Sequence, residues 1–161
     1  MLSSLDLVSA RTTQPALPEA VVLSEAQSDY MLGLRDALLE TARGRELYAT
    51  FAEVRREIGY LVRRSRPVQV VWHRARGPAF LTQAINHLKG EIPAFPREIG
   101  GVSRLAMLER MGAVLQVHGS NPLREAIERH GPELLAMVDA ETVHDCLDTL
   151  RRADATDGVI A

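Results

Sequence analysis

Apolar residues recur most regularly at Leu47, Phe51, Val54, Ile58 and Leu61, a 4-3-4-3 spacing with Glu46, Glu53, Arg56 and Arg63 falling between them. The spacing predicts an amphipathic helix with those five side chains inward. It must stop ahead of Pro67, because a proline pushes the preceding residue out of the α region. Upstream, Ser24 and Gln27 form a capping-box pattern. Tyr30, Leu34, Ala37 and Leu38 continue at helical spacing toward Gly44, which predicts a helix over 25–43.

Downstream, the run 67–72 (PVQVVW) is short and β-branched, the one strand candidate, with 20–24 as its candidate partner. Gly77 and Pro78 then open a helix with Phe80, Leu81, Ala84, Ile85 and Leu88 on one face and Gly90 as its stop. Segment 91–102 holds Pro93, Pro96, Gly100 and Gly101 and reads as a surface loop or lid. Ser103 caps a helix carrying Leu105, Leu108, Met111 and Leu115 up to Gly119. Asn121 and Pro122 open a shorter one closing at Gly131, and 132–138 and 141–152 read as two last short helices. The expected fold is mainly α: one bundle of about five to seven helices over 20–152, with at most one short two-stranded β element. Segment 1–19 reads as a flexible arm and 153–161 as a frayed tail.

Composition agrees with helices, since 46% of the 161 residues are hydrophobic but only 4% are aromatic, which leaves the core to aliphatic side chains. The longest charge-free run after the N-terminus, 111–123, contains Gln, His, Ser and Asn, so no membrane association is expected. Cys146, the single cysteine, can form neither an internal disulfide nor a cysteine zinc site, and together with the absence of a signal-peptide pattern it points to a reducing compartment, the cytoplasm.

Charge changes the picture locally. The whole chain carries −2, whereas 55–76 holds seven arginines against one acid, Glu57, a local charge of +6. Arg63, Arg64 and Arg66 are followed by Trp72, His73, Arg74 and Arg76 just ahead of the Gly77-Pro78 helix start. Arginine forks beside a helix N-terminus make an anion site. The bland alternative is that these arginines neutralise a helix C-terminus; eighteen of the nineteen basic residues are arginine, a skew that codon bias alone produces.

His73, at the end of the expected strand, is a candidate acid or base over an anionic substrate held by Arg74 and Arg76. No spacing ties Ser65, Ser103 or Cys146 to it as nucleophile. His87, His118 and His130 each precede a glycine and read as helix C-terminal caps. Glu141 and His144 match Glu-x-x-His once where a di-iron bundle needs it twice, so no metal is expected. A helix-turn-helix around 118–121 is electrostatically balanced, with Arg124 and Arg129 against Glu125 and Glu128. Sequence-specific DNA binding is therefore not expected. No phosphate loop or other cofactor motif occurs, so no cofactor is expected.

These readings define a non-catalytic interaction module whose arginine-rich face engages an acidic protein surface or a small phosphorylated or carboxylate ligand. The competing reading is a small enzyme built on His73.

Overall fold

A computed structural model describes residues 22–160. Within them seven helices alternate with short turns: α1 Glu25–Leu39, α2 Ala42–Arg64, α3 Arg66–Arg74, α4 Gly77–Leu88, α5 Arg104–His118, α6 Asn121–Ala136 and α7 Val143–Ile160. One two-stranded antiparallel ribbon, β1 Glu98–Ile99 with β2 Val102–Ser103, lies between α4 and α5. The fold is mainly α, as the periodicity predicts. None of the described helices is long and apolar enough to cross a membrane.

The 23-residue α2 is the spine, about 35 Å long at 1.5 Å per residue. Helices α1, α3, α5, α6 and α7 all pack on it. Val54, Leu61 and Val62 of α2 meet Val68 of α3, Met111 and Leu115 of α5, and Leu123 and Ala126 of α6 in the core. Val68 and Leu123 are sealed from solvent at 0% and 1% exposure. The expected stripe holds at Val54, Ile58 and Leu61 but not at Phe51, which is 57% exposed.

Ser24 forms the expected capping box with Gln27, the two bonds measuring 3.2 and 3.0 Å. The helix does not run to Arg43, however. Thr41 is extended, and its Oγ1 accepts from Gly44 N at 2.9 Å, so it caps a new helix. Gly44 is thus an entry point rather than a stop. A Cβ there would overlap the Leu38 carbonyl, so only glycine lets the two helices turn this closely.

The expected strand over 67–72 is a correction: those residues form α3. Pro67 sits in the first turn, where no backbone donor is needed, and therefore starts the helix instead of forbidding it. Burial of Val68 against the core outweighs the β preference of the valines. Residues 22–24 form no strand, and 20, 21 and the expected arm 1–19 lie outside the described residues. The ribbon arises instead inside the expected loop. There Gly100 and Gly101 take φ of 55° and 80°, the paired left-handed conformation of a tight hairpin turn.

Two expected breaks at the C-terminal side are also absent. Ser120 caps α6, which continues through Gly131 and Pro132 to Ala136. A proline inside a helix costs about 3 kcal/mol, and side-chain anchors hold the turn around it. Buried His130 reaches Thr50 Oγ1 at 3.0 Å and Glu133 at 3.2 Å, and Glu133 pairs with Arg43 at 2.6 Å. His130 is therefore an interhelical link and not a C-terminal cap. Helix α7 likewise extends to Ile160 across the expected tail. Asp154 accepts from Ala42 N at 2.8 Å and from Arg43 N at 3.1 Å, while Asp157 pairs with Arg43 at 2.7 Å.

Val54→Asp should lower stability by about 3 kcal/mol or more, because it puts an unpaired carboxylate into the core. Arg56→Ala, at an exposed position, should stay within about 0.5 kcal/mol. Urea unfolding compares the two, and equal losses would mean that α2 buries a different face.

Backbone donation from Ala42, then Arg43, holds the Asp154 carboxyl below its ordinary value. A group depressed in the folded state stabilises above its unfolded value, about 3.9. That contribution is lost as pH falls through the lower folded value. Asp154→Ala should therefore lower the melting temperature at pH 7, and the gap from the parent chain should close as the pH drops below about 3.9. A gap that stays constant into acid would show that the carboxylate is not the cap.

Candidate functional site

The nine residues of α3 divide cleanly by face. Arg66, Val70, His73 and Arg74 are exposed, whereas Val68 is buried and Val71 and Trp72 are half-buried. Arg66 and Arg74 stand two turns apart on the outer side, about 12 Å along the axis. Arg63 and Arg64 close α2 and are exposed, with the Arg63 guanidinium folded back over Gly59. Arg76 turns away. It takes a left-handed φ of 60° as the residue preceding α4, and its guanidinium lies against Gly100 of the hairpin turn. Arg66 and Arg74 thus lie along the outer side of α3, while Arg76 reaches back to the hairpin turn.

None of these arginines pairs with a carboxylate among the described residues. Glu57, the one acid of the segment, is committed elsewhere. Its two carboxylate oxygens accept from Ser120 N and Ser120 Oγ, both at 2.6 Å, and tie the α5–α6 turn to α2. Glu57 therefore pairs with none of the arginines along α3.

Between α3 and α5 runs a groove of about 500 Å³, floored by Val70, Val71, Ala113, Val114 and Val117 and bordered by Arg74 and Arg110. Val117 is 73% exposed and Val70 39%. Arg110, Ala113, Val114 and Val117 follow the i, i+3, i+4, i+7 row of one helix face, a sequence signal that the stronger Leu105, Leu108, Met111, Leu115 row masks.

Trp72 serves a different place from Arg74. It lines an apolar cavity of about 350 Å³ on the other side of α3, with Phe80, Leu81, Phe95, Leu108 and Met137 among the walls. Its ring packs directly over Gly77, where a Cβ would overlap the indole. His87, expected as a C-terminal cap, is buried and fastens the cavity's outer wall. Its Nε2 accepts from Val143 N at 3.1 Å, which leaves the proton on Nδ1 to donate to the Ile92 carbonyl at 3.1 Å. Phe95 packs edge-on against that ring at 4.3 Å between centroids.

His73 has no side-chain hydrogen bond among the described residues and lines neither the groove nor the cavity. His118 does end α5 and is exposed. Glu141 pairs with Arg97 at 2.9 Å and His144 meets the Tyr30 hydroxyl at 3.4 Å. Among the described residues no three His, Cys, Asp or Glu side chains cluster as metal ligands. No family model, no curated protein and no solved structure matches the chain, so its own geometry carries the functional argument.

Gly77→Ala should displace the indole of Trp72, shifting its fluorescence and costing about 1–3 kcal/mol as an overpacked contact does. Gly33→Ala in α1 is the control, because a Cβ there meets nothing within 4 Å. It should be neutral or stabilise by up to about 1 kcal/mol. An unchanged Trp72 spectrum in Gly77→Ala would contradict this packing.

Proposed function

We propose that this chain is a non-catalytic interaction module whose α3–α5 groove receives an acidic amphipathic helix of a partner protein. One observation carries the reading: an apolar floor open to solvent is bordered by Arg74 and Arg110, and the arginines along α3 lack carboxylate partners among the described residues. An amphipathic helix would lay its apolar side on Val70, Val114 and Val117 and offer its carboxylates to the guanidinium forks. A cytoplasmic setting accords with Cys146, a lone, half-buried thiol whose burial raises its pKa. The enzyme reading needs His73 inside a concave site, and nothing in its surroundings favours that.

The test is a labelled helical peptide with leucines on one face and glutamates on the other, titrated with the full chain and followed by anisotropy. Binding should saturate, weaken with added salt and fall roughly tenfold or more when Arg74→Glu and Arg110→Glu are combined. Val117→Asp should weaken it comparably while leaving the circular dichroism spectrum intact. Parent-like binding by the double reversal, or equal binding of a lysine-faced peptide, overturns the reading. A dimer that Val117→Asp dissolves would make a second copy the occupant. Binding only by a chain starting at residue 22 would make the first 21 residues the occupant. Either outcome also overturns the partner assignment.

A further inference from the structure

The cavity behind α3 differs from the groove in every respect that governs what it could hold. It lies under the loop fastened by His87, and its lining is apolar except at one point. Of the lining side chains only Arg104 is charged. Arg104 opens α5, and one terminal nitrogen donates to the Ala140 carbonyl beyond the end of α6. Its Nε is buried and has no hydrogen-bond acceptor among the described residues.

No carboxylate comes within ion-pair distance of Arg104 among the described residues. Glu141, the nearby acid, is taken by Arg97, and exposed Asp139 acts on Arg104 only through space. Burial, and then the like charge of Arg97, pull the guanidinium below its ordinary pKa, which is the signature of a cation short of counter-charge. Arginine stays charged at any physiological pH, so the shortfall cannot be relieved by losing the proton. A buried donor left without an acceptor destabilises the fold, so the unpaired Nε is a feature that asks for a reason.

We infer that this cavity is a binding site for a small hydrophobic carboxylate, its apolar body among Trp72, Phe80, Phe95 and Leu108 and its head on Arg104. The volume of about 350 Å³ holds roughly a dozen groups of ~30 Å³ each, the space one water takes in the liquid. That is the size of a medium-chain fatty acid such as decanoate. A single guanidinium matches one monoanionic head, and the rest of the wall offers no charge to a second. The two side chains that can report occupancy are unique in the chain: Trp72 is the only tryptophan, Cys146 the only cysteine, and both line the cavity.

The experiment titrates the full chain with decanoate, below its micelle-forming concentration, and with decanol, which has the same chain and no charge. Trp72 emission should change saturably with decanoate, and bound decanoate should slow alkylation of Cys146. Decanol should bind roughly tenfold more weakly, as expected for the loss of a charge-assisted hydrogen bond. Arg104→Met should abolish that preference. Ala84→Phe, which fills the wall without touching Arg104, should weaken both ligands together. The groove reversal of Arg74 and Arg110 should leave decanoate binding unchanged, so failure here and failure of the partner reading are separate results. Equal affinity of the parent chain for decanoate and decanol overturns the inference. So does a Trp72 signal that neither ligand moves, and so does binding seen only when residues 1–21 are removed, which would make those residues the natural filling.

Discussion

The first turn of α2 is where the structure is held together. A helix start leaves backbone donors that must find acceptors, and here those of Ala42 and Arg43 are met by one carboxylate, Asp154 of α7. The Arg43 side chain then reaches Glu133 on α6 and Asp157 on α7, and Glu133 in turn holds His130. Three helices converge on one turn, and α2 carries the core from there toward α3 and α5. The position of α3, and with it both the groove and the cavity, follows from how α2 is set.

Local signals in the sequence fix the structure where the partner lies within a turn or two. The Ser24 and Gln27 pair, the Ser103 cap and the Gly77-Pro78 start all form as their spacing implies. Errors cluster where a distant contact decides. Valines at 68, 70 and 71 favour a strand by themselves, yet the core contact of Val68 makes them a helix. Gly131 and Pro132 look like a terminus until His130 finds Thr50, eighty residues away. Gly100 and Gly101 are the exception: the paired glycines are a local hairpin signal, obscured by the prolines before them.

The candidate site was legible in charge and not in shape. The excess of arginine over 55–76 stands in the sequence, and the structure adds that Glu57 is spent on Ser120 and neutralises none of it. The valine row of α5 that floors the groove had a helical signature, but only packing tells which of two rows on one helix faces outward. Arg104 could not have been found in this way. Its burial arises from the meeting of α5 with the end of α6, residues some thirty-six positions apart, and nothing in the spacing of the chain announces it.

The distance between Asp154 and the donors it satisfies also sets an order on events while the chain is being made. Ala42 and Asp154 are 112 residues apart, which at ~5–20 residues per second separates their emergence by about 5–20 seconds. Through that interval the Ala42 and Arg43 donors are without the carboxylate that satisfies them in the folded chain. Of the helices that pack on α2, its sequence neighbours α1 and α3 emerge nearest to it in time. The helix that carries Asp154 is the one that fastens that turn.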